Sequence, residues 1–132
     1  MAEMVDEAAV LVANSAFYDA LDNLDLERMD AVLATTEPVR VVHPGWGLVS
    51  GREAVLASWE RIFDNAGMMQ FTVAEAEAHI DGDFAWVICV ERLTSVQGGQ
   101  VVEGLVQTTN LFRRETTGWR IAHHHGSPVA GR

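Results

Sequence analysis

Residues 69–95 read "MQFTVAEAEAHIDGDFAWVICVERLTS", and the class of the fold turns on them. Two runs rich in β-branched and aromatic residues, Met69 to Ile80 and Phe84 to Ser95, flank Asp81-Gly82-Asp83, the short glycine-bearing connection of a hairpin. Further on, "QGGQ" at 97–100 and "ETTG" at 115–118 set off two more such runs, Val101 to Arg114 and Trp119 to His125. Strand, turn and strand repeated in this way predict an antiparallel meander.

Upstream the period changes. From about Asp6 to Leu24, apolar residues recur at helical spacing, with Val10, Ala13, Phe17, Ala20, Leu21 and Leu24 on one face. A shorter helix is predicted from Leu26 to Ala34, capped by Asp25 and turning Leu26, Met29 and Leu33 inward. Val39 to Val42 reads as a short strand that stops at His43, because Pro44 has no backbone N–H to give to a ladder. Ser50 or Gly51 then opens a third helix, Glu53 to about Asn65, with Ala54, Ala57, Trp59, Ile62 and Phe63 as its apolar bulk. Helices first and a curved sheet afterwards describe one α+β domain over residues 1–132, its helices covering one face of the sheet.

Composition narrows the chemistry. The chain carries 19 acids against 9 bases, a formal charge of −10, which opposes binding to nucleic acid or an anionic membrane surface. Every base is an arginine, so lysine Schiff-base chemistry is excluded. Cys89 is alone and sits in the apolar run "FAWVICVERL", which predicts an inert buried thiol in a reducing, cytoplasmic setting. The N-terminus is acidic where a signal peptide is basic, and no apolar run approaches the roughly 18 residues of a membrane span.

Two segments carry a resemblance. "HPGWGLVSGREAVLASWERIF" at 43–63 and "TNLFRRETTGWRIAHHHGS" at 109–127 resemble the nuclear transport factor 2-like superfamily, and within it the SnoaL-like group. The resemblance implies a cone-shaped antiparallel sheet packed on N-terminal helices, the cystatin-like α+β barrel, enclosing a pocket. It also implies a homodimer through the outer sheet face. The superfamily spans ketosteroid isomerases, polyketide cyclases, dehydratases, epoxide hydrolases and non-enzymatic association modules, and fold alone does not choose among them. By analogy with the isomerases, His43 takes the place of the general base, Asn110 that of an oxyanion-binding aspartic acid, and Phe17 that of an oxyanion-binding tyrosine. All three positions depart from the isomerase pattern, so steroid isomerisation by that machinery is not expected. Tyr18, one residue on, is expected to point elsewhere, since one helical residue is about 100° of rotation.

The candidate catalytic residues are therefore His43, to move a proton, and Asn110, to hold an oxyanion. Phe17, Trp46, Trp59, Phe63, Trp86 and His124 are expected to line an apolar pocket, with Trp46, in a glycine-rich turn, as a ligand-gripping residue. Alternation along the strands sets Glu91 and Glu103 opposite Trp86 and Asn110, which predicts them outside the pocket, meeting Arg92, Arg113 or Arg120. His123, His124 and His125 admit at most two metal ligands on one face and match no zinc spacing, so neither metal nor cofactor is expected. Which face of that strand meets the pocket stays open: Trp119 and Ile121 favour His123 and His125, the isomerase analogy favours His124. Two functions follow: cofactor-free proton transfer on a small apolar carbonyl compound, as isomerase, cyclase or dehydratase, or a non-catalytic ligand-binding or association module that pairs with itself or a related subunit.

Overall fold

The computed structural model of the protein describes residues 2–130, with side chains for all of these but 2, 3 and 97. Three helices, α1 (Ala2–Asp22), α2 (Leu26–Val32) and α3 (Arg52–Asn65), accompany six strands: β1 (Arg40–Val42), β2 (Val49–Ser50), β3 (Met68–Asp81), β4 (Phe84–Gln97), β5 (Gln100–Glu115) and β6 (Gly118–Pro128). They form one sheet in the order β2-β1-β6-β5-β4-β3. The last four strands are the antiparallel meander read from the sequence. The sheet as a whole is mixed, because β1 lies parallel to β6, pairing Val41 with His124.

Val10, Asn14, Phe17 and Leu21 of α1 are buried at spacings of four, three and four, which lays one helical stripe along the sheet. Asp25 caps α2, its carboxylate accepting from the Arg28 amide at 3.1 Å. This helix stops two residues short of the expected end, since Leu33 bridges to Ile121 and the Ala34 amide bonds the Ile121 carbonyl at 2.8 Å. The start of α3 is capped from a distance: Gly51 takes the N-cap position at φ 100°, and Glu37 accepts from the Arg52 amide at 2.7 Å. The two-residue β2 escaped the sequence reading because it alternates over too short a span to show a period.

Two irregularities bend the sheet around the helices. In β3 the register shifts between Ala74 and Glu77, with Glu75 at φ 56°. In β6 it shifts at Ala122: Phe112 pairs with Ile121 while Leu111 pairs with His123. The extra residue reverses the alternation, so Trp119, Ile121 and His124 all face the interior. Both signals in the sequence were correct, each for its own half of the strand.

Candidate active site

The stretch His43-Pro44-Gly45-Trp46 has the pattern of a type II turn, with proline second, glycine third at φ 83°, and the Trp46 amide bonded to the His43 carbonyl at 2.8 Å. That turn folds its first and fourth side chains together, and the rings of His43 and Trp46 lie 4.7 Å apart. Trp59, from α3, closes the other side at 4.4 Å. Pro44 seats against β6 where Gly126 leaves room: a Cβ there would stand 2.9 Å from Val106 Cγ1 and 3.1 Å from Pro44 Cγ.

His43 is 2% exposed, and its Nε2 meets Ser58 Oγ at 2.9 Å. Since the Ser58 hydroxyl donates to the Val55 carbonyl at 2.7 Å, it accepts from His43. The imidazole therefore carries its proton on Nε2 and leaves Nδ1 as a lone pair. Burial without a carboxylate partner holds its pKa down to about 4.

His124 stands on the same chamber. Its Nδ1 meets Asn110 Oδ1 at 2.6 Å, and the Asn110 amide donates to Asn14 Oδ1 at 2.8 Å and to the Tyr18 hydroxyl at 3.3 Å. With the Asn110 NH2 so engaged, its Oδ1 is the acceptor, and His124 carries its proton on Nδ1 with Nε2 bare. Burial first, and the neighbouring histidines second, hold this ring down to about 3. Both rings line the same hollow.

The chain of bonds continues. The Tyr18 hydroxyl donates to Glu91 Oε2 at 2.5 Å, and burial pushes the Glu91 carboxyl above its ordinary range while the Tyr18 and Thr108 hydroxyls pull the other way. The Tyr18 hydroxyl is itself pushed far up by burial and by Glu91. The fully buried Thr108 hydroxyl stands close enough to Glu91 to pull on its carboxyl but outside full hydrogen-bond geometry, and no other described group satisfies it.

These side chains border a chamber of about 190 Å³, with His43, Glu91 and His124 as its ionisable groups and Trp46, Trp59, Ile62, Met69, Phe71 and Leu93 among its walls. A second hollow of about 280 Å³ adjoins it, sharing Trp46, Ile62, Met69 and Leu93 and adding Arg61, Asn65 and Ser95. His43, Trp46, Trp59 and His124 are thus brought together. Asn110 is not at the chamber: it is fully buried behind His124, its amide spent on protein, and no donor is left for an oxyanion. Phe17 and Phe63 are also one layer back, packing on Trp59 at 5.7 and 5.9 Å. Trp86 is on the opposite face, stacked on His79 at 5.4 Å, because it pairs with outward-facing Leu111.

Glu91 and Tyr18 are the residues the sequence reading misplaced. Glu91 pairs with Val106, two positions along from the Cys89–Thr108 pair and four from Val87–Asn110, so it shares the interior face with Asn110. Facing strands pair odd with even here, an offset that alternation along a single strand does not reveal. Tyr18 does rotate away from Phe17, but α1 is flanked by sheet on both sides of its stripe, and the rotation aims Tyr18 at β4. His123 and His125 lie on the outer face with ring centroids 6.1 Å apart, separate from His43 and His124. Among the described residues, no group of three or more His, Cys, Asp or Glu is placed to hold a metal ion. No described helix is long and apolar enough to cross a membrane.

Comparison with known proteins places this geometry. A nuclear transport factor 2-like protein from Streptomyces avermitilis, provisionally named a dehydratase, is 34% identical and superimposes with a TM-score of 0.88 over 94% of this chain and 96% of its own. A protein from Thiobacillus denitrificans, provisionally named a calcium/calmodulin-dependent protein kinase type II association domain, is also 34% identical, with a TM-score of 0.78 over 89% and 92%. The F-box protein SKIP8 of Arabidopsis thaliana is 27% identical over 119 residues, 90% of this chain and 49% of the plant protein, so the chain spans about half the length of this curated relative. The profile of the SnoaL-like domain matches residues 10–131, and with that match over the same helices and sheet the chain belongs to the SnoaL-like family of the nuclear transport factor 2-like superfamily.

Proposed function

We propose that the chamber is the active site of a cofactor-free proton-transfer enzyme acting on a small apolar carbonyl compound, as an isomerase, cyclase or dehydratase. One observation carries the reading: two imidazoles, both kept neutral by burial, each commit one nitrogen to a protein partner, and both line the same cavity as a buried carboxyl. His43 Nδ1 lifts a proton from the carbon beside the carbonyl. Glu91, whose protonated form burial favours, donates a hydrogen bond to the oxygen on which charge develops. The proton then returns to a second carbon in an isomerisation, or leaves with a departing hydroxyl in a dehydration. Either outcome moves protons without a net change of electrons, so the chemistry needs no redox cofactor. Asn110 acts as a positioning residue that fixes the His124 tautomer. The dehydratase name of the Streptomyces avermitilis relative supports the elimination branch.

Exchange of α-protons into deuterium oxide tests this, followed by NMR on a panel of enolisable cyclic ketones and β-hydroxy carbonyl compounds. The expected result is exchange above buffer that His43→Ala and Glu91→Gln each reduce by about 100-fold or more. Buffer-level exchange with the wild-type protein across the panel would sink the reading.

A second reading, self-association, is favoured by the outer sheet face, where Phe84, Ile88 and Leu111 stay 56%, 42% and 39% exposed. A homodimer through that face is proposed, in a cytoplasm whose reducing conditions suit the lone thiol of Cys89. It is compatible with catalysis. Light scattering on the wild type and on Ile88→Glu/Leu111→Glu checks it: a monomeric wild type would dismiss the dimer.

A further inference from the structure

We infer that the ligand is a one-ring carboxylic acid, its ring held in the inner chamber and its carboxylate held at the mouth by Arg61. The inference rests on the proposed active site and adds the substrate class. Size comes first. An apolar cavity of about 150 Å³ accommodates benzene, so a chamber of about 190 Å³ has room for a single substituted ring. Its walls are mostly apolar, with Trp46, Trp59 and Phe71 as flat faces for a ring and His43, Glu91 and His124 as the few polar groups that can meet a carbonyl on it.

Charge comes second. The adjoining hollow shares Trp46, Ile62, Met69 and Leu93 with the chamber, which puts it next to the ring as the seat for a substituent. Arg61 is its lone charged lining residue among those described, and no carboxylate borders it. In a chain with a formal charge of −10, an arginine at such a mouth with no acid within ion-pair distance among the described residues is an open cation site. Its guanidinium lies 5.8 Å from the Trp46 ring centroid, and Trp46 packs in turn against His43. One indole thus sets the distance between the charge that holds the tail and the imidazole that meets the ring. The planar guanidinium matches a carboxylate in a two-bond fork, which a neutral amide cannot reproduce.

The test measures binding of phenylacetate and of its neutral analogue phenylacetamide by NMR shift titration, on the wild type, Arg61→Gln and His43→Ala. We expect phenylacetate to bind about five- to tenfold more tightly than the amide to the wild type, as an exposed but preorganised ion pair allows. Arg61→Gln should abolish that preference, weakening phenylacetate more than the amide, and shift changes should reach both Trp46 and His124. Equal binding of the two compounds, a preference that survives in Arg61→Gln, or no binding of either at millimolar concentration would overturn the inference. His43→Ala separates the two proposals: a charge preference that persists while proton exchange is absent from the wild type would leave Arg61 as the anchor of a binding protein, whereas His43-dependent exchange without a charge preference would keep the enzyme and discard the acid.

Discussion

Lowering the pH from 7 to 5 should destabilise this fold, and most of the loss should come from two rings. His43 and His124 are held in the fold at about 4 and about 3, both below the ordinary histidine value of 6.5. The unfolded chain therefore binds more protons than the folded one across this interval, and stability falls as pH falls. Each ring contributes its stability fully above its unfolded pKa and loses it progressively down to its folded pKa. Over pH 7 to 5 the linkage relation gives a loss of about 2 kcal/mol per ring and about 4 kcal/mol for the pair. With a urea slope of about 1.5 kcal/mol/M, the midpoint should drop by about 2.5 M. Glu91 works the other way, since a carboxyl raised in the fold regains stability as pH falls through its folded pKa, whereas the lowered His123 adds to the loss. The lowered carboxylates, such as Asp6 and Glu37, lose their contribution only below about pH 4.5 and lie outside the window. The assay is urea unfolding at pH 7 and pH 5 on the wild type, His43→Asn and His124→Asn, reading the difference between the two pH values within each protein. Each variant should lose about half of the wild-type pH effect, whatever its stability at pH 7. An unchanged pH effect in both variants, or wild-type ring carbon resonances of His43 and His124 that titrate near 6.5, would refute the buried neutral pair.

Other expectations are as specific. Gly126→Ala forces Val106 or Pro44 to move and should loosen the turn that carries His43; the readout is a downfield change of Trp46 and His43 ring signals together with a lower melting temperature. Tyr18→Phe removes the donor to Glu91 and the acceptor of Asn110 in one step, so it should cost about 1–3 kcal/mol in chemical denaturation and raise the Glu91 pKa further, measured by carboxyl carbon NMR. A pKa that fell would contradict the bond network. Glu37→Ala leaves the first amide of α3 uncapped and should lower the melting temperature by roughly a few degrees, with proton exchange of the Arg52 amide accelerated. Unaltered exchange at Arg52 would show that water caps the helix equally well.

The element order, the turn positions and three of the chamber residues were legible because local chemistry fixes them. Proline and glycine dictate the turn that presents His43 and Trp46, and the helical spacing of α3 turns Trp59 inward. The rest depended on registers that no local pattern encodes. Glu91 is an acid in an apolar strand, and only the pairing of β4 with β5 shows that its side of the strand is the interior. Tyr18 was dismissed by rotating away from Phe17, yet sheet curls around both residues, and rotation changed the strand it met without removing it from the core. Asn110 was assigned to the right cluster and the wrong task, because its burial behind His124 is a matter of layer depth, which alternation does not report.

The bulge at Ala122 has an evolutionary corollary. A one-residue slip in an ordinary strand exchanges every inward side chain for its neighbour, and at an active site such a slip abolishes function. Here the segment after the bulge is His123-His124-His125, so a slip that erased the bulge would carry His123 into the place of His124 and still deliver an imidazole to the chamber. The run of identical residues makes this position forgiving of backbone error, and it lets insertions and deletions in the β5–β6 hairpin be sampled without first losing the inward imidazole.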